Sequence, residues 1–226
     1  MPDGREHINI SLVETIGRVA PDQWDGCAGR VNPFVSHAFL SSLEDAGCVR
    51  ADTGWAARHV LVKDEGGSLL AAAPLYLKGN SMGEYVFDWG WAEAYERAGG
   101  RYYPKLVSGV PFTPVTGPRL LVRADVSTPL ALSLKQQLAG AMSGAVQGAK
   151  LSSLHVNFIP AEDVQVFSDA GYLARTGLQY HWRNQGYGCY DDFLAQLSSR
   201  KRKALKKERK IATQDSGLHI ERLSGA

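Results

Sequence analysis

A chain of 226 residues, 44% hydrophobic and 21% charged, has the makeup of one large globular domain, or of one domain and part of another. Disordered, fibrous and repeat classes are excluded by that composition; no apolar stretch reaches the roughly 18 residues of a membrane span, and the opening MPDGREHINISLVE lacks a signal run, so a cytoplasmic protein without transmembrane segments is expected. The net charge of +2 conceals eight basic residues against one acid between Arg200 and Lys210, a local +7 that leaves −5 for the rest.

Ile8 to Val13 alternates and predicts a strand, and Pro21 and Asp22 open a helix to Cys27. Ser36 caps a helix over His37 to Ala46, which Gly47 ends. Ala57 to Lys63 and Ser68 to Lys78 form a hairpin around Asp64, Glu65, Gly66 and Gly67, with Pro74 marking an edge or a bulge. Gly79 to Pro118 offers no regular pattern. Arg119 to Arg123 is a strand, Ser127 caps a helix to about Gly148, and Leu154 to Phe158 is a buried strand. Pro160 to Ala170 is a helix, Leu173 to Arg183 a strand, Asp191 opens a helix continuing into the basic run, and Leu218 to Leu223 is a last strand. This order predicts an α/β or α+β layer with a mixed sheet. Cys27, Cys48 and Cys189 are widely spaced and odd in number, which predicts core thiols, no disulfide and no metal.

The run EYVFDWGWAEAYERAGGRYYPK mixes rings, glycines and both charge signs, the material of a cleft that grips a polar ligand. It supplies Asp88 as a catalytic candidate and Trp89, Trp91, Tyr95, Arg97, Tyr102, Tyr103 and Lys105 as binding candidates, against the plainer reading of rings capping a core. In the Pro-Gly turn that follows, the hydroxyls of Thr113 and Thr116 and the charge of Arg119 suit a carbonyl or phosphate. His155 and His181, both in β runs, are the candidate bases or oriented donors. The basic stretch offers Arg200, Lys201, Arg202, Lys203, Lys206 and Lys207 to phosphate or RNA, although a solvated helix face is the commoner use of such a run. Serine-triad, P-loop, dinucleotide and metal-ligand patterns are absent.

Several strings taken together, NPFVSHAFLSSLEDAG, APLYLKGNSMGEYVFDWGWAEAYERAGGRYYPKL, PFTPVTGPRLL, LHVNF and HWRNQGY before FLAQLSSRKRKALKKERK, resemble the FemAB-like proteins of the GNAT acyltransferase superfamily. The resemblance implies a GNAT-like acyl-CoA N-acyltransferase fold, usually two such domains in tandem. Residues 1 to 190 would then be the amino-terminal domain and 191 to 226 a basic helix and the start of a second, truncated one. It further implies transfer of an acyl or aminoacyl group from acyl-CoA or aminoacyl-tRNA to a small-molecule or peptide amine, with a cell-wall precursor as the acceptor and tRNA as a partner. The Arg/Gln-x-x-Gly-x-Gly/Ala loop that cradles CoA in typical GNAT enzymes is not found in this sequence. A non-catalytic module of the same fold that binds a peptide, glycan or nucleic acid is the alternative.

Overall fold

The computed structural model describes residues 8–219 and 221, and divides the chain into two compact units, one running to Gly177 and the other starting at Leu178. In the first unit, β1 (Asn9–Val13) is followed by α1 (Pro21–Ala28), with Pro21 at its first position, and by α2 (His37–Asp45), where the Ser36 side chain accepts from Phe39 N. Next comes a long bent hairpin whose arms are each split, into β2 (Trp55–Ala57) with β3 (His59–Lys63), and β4 (Leu69–Ala73) with β5 (Tyr76–Lys78). Then follow α3 (Trp89–Arg97), β6 (Lys105–Ser108), β7 (Leu121–Val122), α4 (Thr128–Gly148), β8 (Leu154–Val156) and α5 (Val164–Asp169).

The strands form two four-stranded sheets, β1-β3-β4-β7 and β2-β5-β6-β8. All pairings are antiparallel except β6 with β8, which places Leu106 against Leu154 and makes the architecture mixed α/β. The hairpin links the sheets because each arm leaves one and joins the other. Pro74, expected at an edge or a bulge, stands instead at this crossing: it has no N–H to give to a ladder, and its carbonyl accepts from Ser108 Oγ at 2.8 Å. Beside it Arg58 N donates to Leu75 O at 2.7 Å, and Leu75 N finds the His59 Nδ1 lone pair at 3.3 Å in place of a carbonyl. His59 is buried and turns its Nε2 to Glu44 Oε1 at 3.1 Å, so it serves the frame.

Alternation along the central strands fills both faces of the first sheet. Val60, Val62, Ala71 and Ala73 pack with Leu134, Leu138 and Met142 of α4 and Phe167 of α5, while Leu61, Leu69 and Ala72 pack with Trp24 and Cys27 of α1 and Leu40 of α2. Burying these side chains contributes on the order of 1.5–3 kcal/mol for each large one.

Four expectations need correction. Gly79 to Pro118 contains α3 and β6, although neither was legible. Leu173 to Arg183 forms no strand and lies mostly exposed, because no neighbouring strand satisfies its backbone. The continuous helix from Asp191 is two helices, α6 (Tyr190–Ala195) and α7 (Ser199–Lys210), broken where Ser198 turns its hydroxyl to cap α7. Of the thiols only Cys27 is buried, its pKa pushed to about 12 by burial, while Cys48 and Cys189 are exposed. Half of the strand read over Leu218 to Leu223 lies outside the described residues. Among the described residues no helix is long and apolar enough to cross a membrane.

Candidate active site

The most unusual feature of the first unit is a buried lysine at the head of a strand. Lys105 opens β6 between β5 and β8, and its position there carries the whole side chain out of solvent. Its ammonium lies 2.9 Å from Glu84 Oε2, 2.5 Å from Asp88 Oδ2, 3.0 Å from Ser81 Oγ and 3.4 Å from His155 Nδ1. An isolated buried ammonium would be prohibitively costly, and two carboxylates within hydrogen-bond reach remove that cost.

The carboxylates reach it through a contorted backbone. Gly83, Tyr85 and Phe87 take φ of 76°, 58° and 55°, so residues in left-handed conformation alternate along the segment. Glu84 and Asp88 thereby point inward, and Tyr85 and Phe87 outward into solvent. For a bulky aromatic residue this region costs on the order of 1 kcal/mol or more, and such strain concentrates at functional sites. A side chain at Gly83 would collide with the Phe112 ring at 2.6 Å, and Phe112 N donates to Gly83 O at 3.1 Å, so the turn is fixed from outside as well.

Around this centre lies a ring of hydroxyl and imidazole groups. Tyr102 donates to Asp88 Oδ2 at 2.7 Å and stands 3.4 Å from His155 Nε2, Ser153 Oγ stands 3.3 Å from the same nitrogen, and Tyr103 and Ser81 share a hydrogen bond at 2.7 Å. Burial raises the Asp88 carboxyl, but hydrogen bonds from Lys105, Ser81 and Tyr102 outweigh it and hold its pKa at about 2. Burial drives the Tyr102 phenol upward, and Asp88 adds to that. Burial and then the Lys105 charge lower His155 to about 4, which keeps the ring neutral at physiological pH. The nearby ammonium favours a bare Nδ1, so the ring proton belongs on Nε2, the nitrogen that faces Ser153 and Tyr102. With its side chain 15% exposed, His155 opens the cluster toward solvent.

Glu84 Oε1 and Asp88 Oδ1 are buried and have no hydrogen-bond partner among the described residues. Glu84, Asp88 and His155 each bring one ligand-type atom within 4.8 Å of the others. The Lys105 ammonium touches all three, so a metal ion could bind them only by displacing that charge. Lys78, also buried, lies 3.6 Å above the Trp55 ring and donates to Met82 O, and burial brings its pKa down to about 8.

Of the candidates drawn from the sequence, Asp88, Tyr102, Tyr103, Lys105 and His155 come together here. Trp89, Trp91 and Tyr95 project from α3, which buries only Ala92, and Arg175 stacks on Trp91 at 4.1 Å. Arg97 is exposed and pairs loosely with Glu93 at 3.8 Å. Thr113 Oγ1 is bonded to Pro111 O and Thr116 is exposed. His181, expected inside a strand, is exposed in the second unit against Gln179 Oε1. Arg200, Lys201, Lys203, Lys206 and Lys207 are exposed along α7, while Arg202 is half-buried and donates to Leu197 O.

Arg119 is the main correction, because a ligand's charge partner was expected there. It is fully buried, and its guanidinium donates to the carbonyls of Asn157, Gly117, Pro118 and Val115 at 2.7–3.0 Å, four of its five N–H groups. It locks the Pro-Gly turn onto the end of β8. Arg119→Lys is expected to destabilise the fold by about 2 kcal/mol, since one ammonium cannot serve four diverging carbonyls. A denaturant midpoint unchanged by that substitution would refute the clamp.

Glu84, Ser81 and Ser153 went unnoticed in the sequence. The available signal was Glu84 and Asp88, two acids four residues apart in a ring-rich run.

The family model described as FemAB-like, peptidoglycan biosynthesis/recognition, matches residues 15–226. No curated protein matches the chain. Among solved structures, the aminoglycoside 6'-N-acetyltransferase AAC(6')-Ih from Acinetobacter baumannii is similar at 13% identity and a TM-score of 0.41, over 80% of this chain and 100% of that one.

Proposed function

The chain belongs to the FemAB-like family of peptidoglycan biosynthesis/recognition, and from that premise we propose that its first unit transfers an acyl or aminoacyl group to an amine of a cell-wall precursor. The observation that carries this reading is the neutral His155 held at the mouth of a buried Lys105–Asp88–Glu84 charge network. A carbonyl oxygen placed against Nε2 would accept its proton as a hydrogen bond, and the bond would strengthen as negative charge grows on that oxygen during attack. A neutral imidazole is suited to this role because it donates without titrating near pH 7.

The C–N bond forms from the acceptor amine to the carbonyl carbon while the C–S bond of an acyl-CoA, or the C–O bond of an aminoacyl-tRNA, breaks. The amine's proton ends on the departing thiol or hydroxyl, or in solvent. Catalysis of this kind rests on positioning and charge stabilisation and needs no enzyme nucleophile. Lys105, held in place by Asp88 and Glu84, would fix the imidazole's orientation and tautomer. Trp89, Trp91 and Tyr95 would lie along the approach of a small-molecule or peptide acceptor, and the cytoplasm, where both donors occur, would be the site of action.

The test is direct. Purified protein is incubated with acetyl-CoA or alanyl-tRNA and a peptidoglycan stem peptide bearing a free side-chain amine, and the peptide is weighed by mass spectrometry. A mass gain of one acyl or aminoacyl group at that amine is expected. Retained peptide binding with no gain from either donor would sink the catalytic reading. It would favour a non-catalytic recognition module, to which the half-exposed rings of α3 are equally suited.

A further inference from the structure

The second unit carries an aromatic hollow of its own. It measures about 320 Å3, at the lower end of the roughly 300–1,000 Å3 typical of small-ligand sites, and is lined by Trp182, Asn184, Tyr187, Cys189, Tyr190 and Phe193. The chain is shaped to hold these rings. Asn184 Oδ1 accepts from Gly186 N and Tyr187 N at 3.0 and 2.8 Å, and Gly186 turns at φ 91°. Asp192 Oδ2 then accepts from Gly188 N and Cys189 N, both at 3.0 Å, to start α6. Trp182 and Tyr187 lie 6.2 Å apart at an angle of 30°, with Phe193 edge-on to both. Trp182 nevertheless remains 65% exposed, so its face is open to a ligand.

Beside the hollow, α7 sorts its cations onto two sides. Arg202, Lys206 and Arg209 recur at i, i+4 and i+7 and turn to this unit's own residues: Leu197 O, Asp191 at 3.8 Å and the Tyr190 ring at 4.5 Å. Arg200, Lys203, Lys207 and Lys210 fall at i, i+3, i+7 and i+10 and are exposed, a cationic row about 15 Å long at 1.5 Å per residue. Arg209, stacked on a ring of the rim, joins helix to hollow. A bilayer would require an apolar stripe on the opposite face, and α7 offers only Ala204 and Leu205. Open rings next to spaced cations fit a ligand with flat bases and repeated phosphates.

We propose that the second unit binds single-stranded nucleic acid, one base entering the Trp182–Tyr187 hollow and successive phosphates running along Arg200, Lys203, Lys207 and Lys210. The proposal is independent of catalysis by the first unit, and its test reads binding alone. A fluorescein-labelled 12-nucleotide oligoadenylate is titrated with the full chain across a salt series and followed by anisotropy. Trp182→Ala, a change at an exposed ring, is expected to weaken binding about 10-fold or more without altering the salt slope. Lys203→Ala with Lys207→Ala is expected to flatten the slope of log K against log salt by about 1.4, at roughly 0.7 per phosphate contact for single strands. Full-strength binding by Trp182→Ala would overturn the proposal. Equal affinity for inorganic polyphosphate would reduce the site to a general polyanion surface, and binding to phosphatidylglycerol vesicles that the oligonucleotide does not displace would point to a membrane; either result rejects the proposal.

Discussion

Lys105→Met is expected to lower stability by about 3–5 kcal/mol, because it leaves Glu84 and Asp88 buried with no opposing charge in contact. For a chain of this size that corresponds to a fall in Tm on the order of 10 °C, measurable by calorimetry. The penalty belongs to the abandoned carboxylates and only slightly to the lost methylenes, since Met fills nearly the same volume. Combining Lys105→Met with Glu84→Gln and Asp88→Asn should therefore recover most of the loss: removing all the charges is far less costly than removing one side. A triple variant as unstable as the single one would place the defect in packing instead.

The parts of this fold that were legible in sequence share a simple geometry. The β3–β4 hairpin announced itself through two nearly continuous apolar runs around an Asp-Glu-Gly-Gly turn, and α2 through its Ser36 cap. By contrast, α3 buries a single residue, Ala92, so no apolar stripe marked it as a helix. The strand β6 begins with a lysine after a proline, and nothing local says that this lysine is buried. Its partners Glu84 and Asp88 lie 21 and 17 residues away. Arg119 misled for the same reason: the chain around it looks like a loop poised to hold an anion, whereas one of the carbonyls it binds, that of Asn157, is 38 residues distant. Leu173 to Arg183 shows the opposite error, since an alternating pattern makes a strand only where a neighbour offers hydrogen bonds. Residue types at the candidate site could be read from the sequence, but their convergence is a product of β5, β6 and β8 lying side by side.

His155→Gln should separate the two consequences of that convergence, one in stability and one in rate. In the unfolded chain His155 takes up a proton near pH 6.5, whereas in the folded protein burial and Lys105 delay this until about pH 4. Between those values the unfolded state binds more protons, so stability falls as the pH is lowered, by roughly 3 kcal/mol across the window, and is unaffected above it. Asp88, with its pKa lowered to about 2, adds a further loss only below about pH 4. Glutamine keeps a donor near Ser153 and Tyr102 but does not titrate, so its unfolding free energy should be flatter than wild type between pH 6.5 and 4 and should run parallel to it above pH 7. If both proteins respond alike, His155 is not held neutral by its surroundings. In the transfer assay, an imidazole donating to the carbonyl oxygen predicts a kcat about 10²–10³-fold lower for His155→Ala with KM little changed, because that hydrogen bond strengthens only as the oxygen gains charge. A rise in KM at constant kcat would instead make His155 a binding residue and remove the imidazole from the donor role, which the Tyr102 hydroxyl cannot fill because its one proton is given to Asp88.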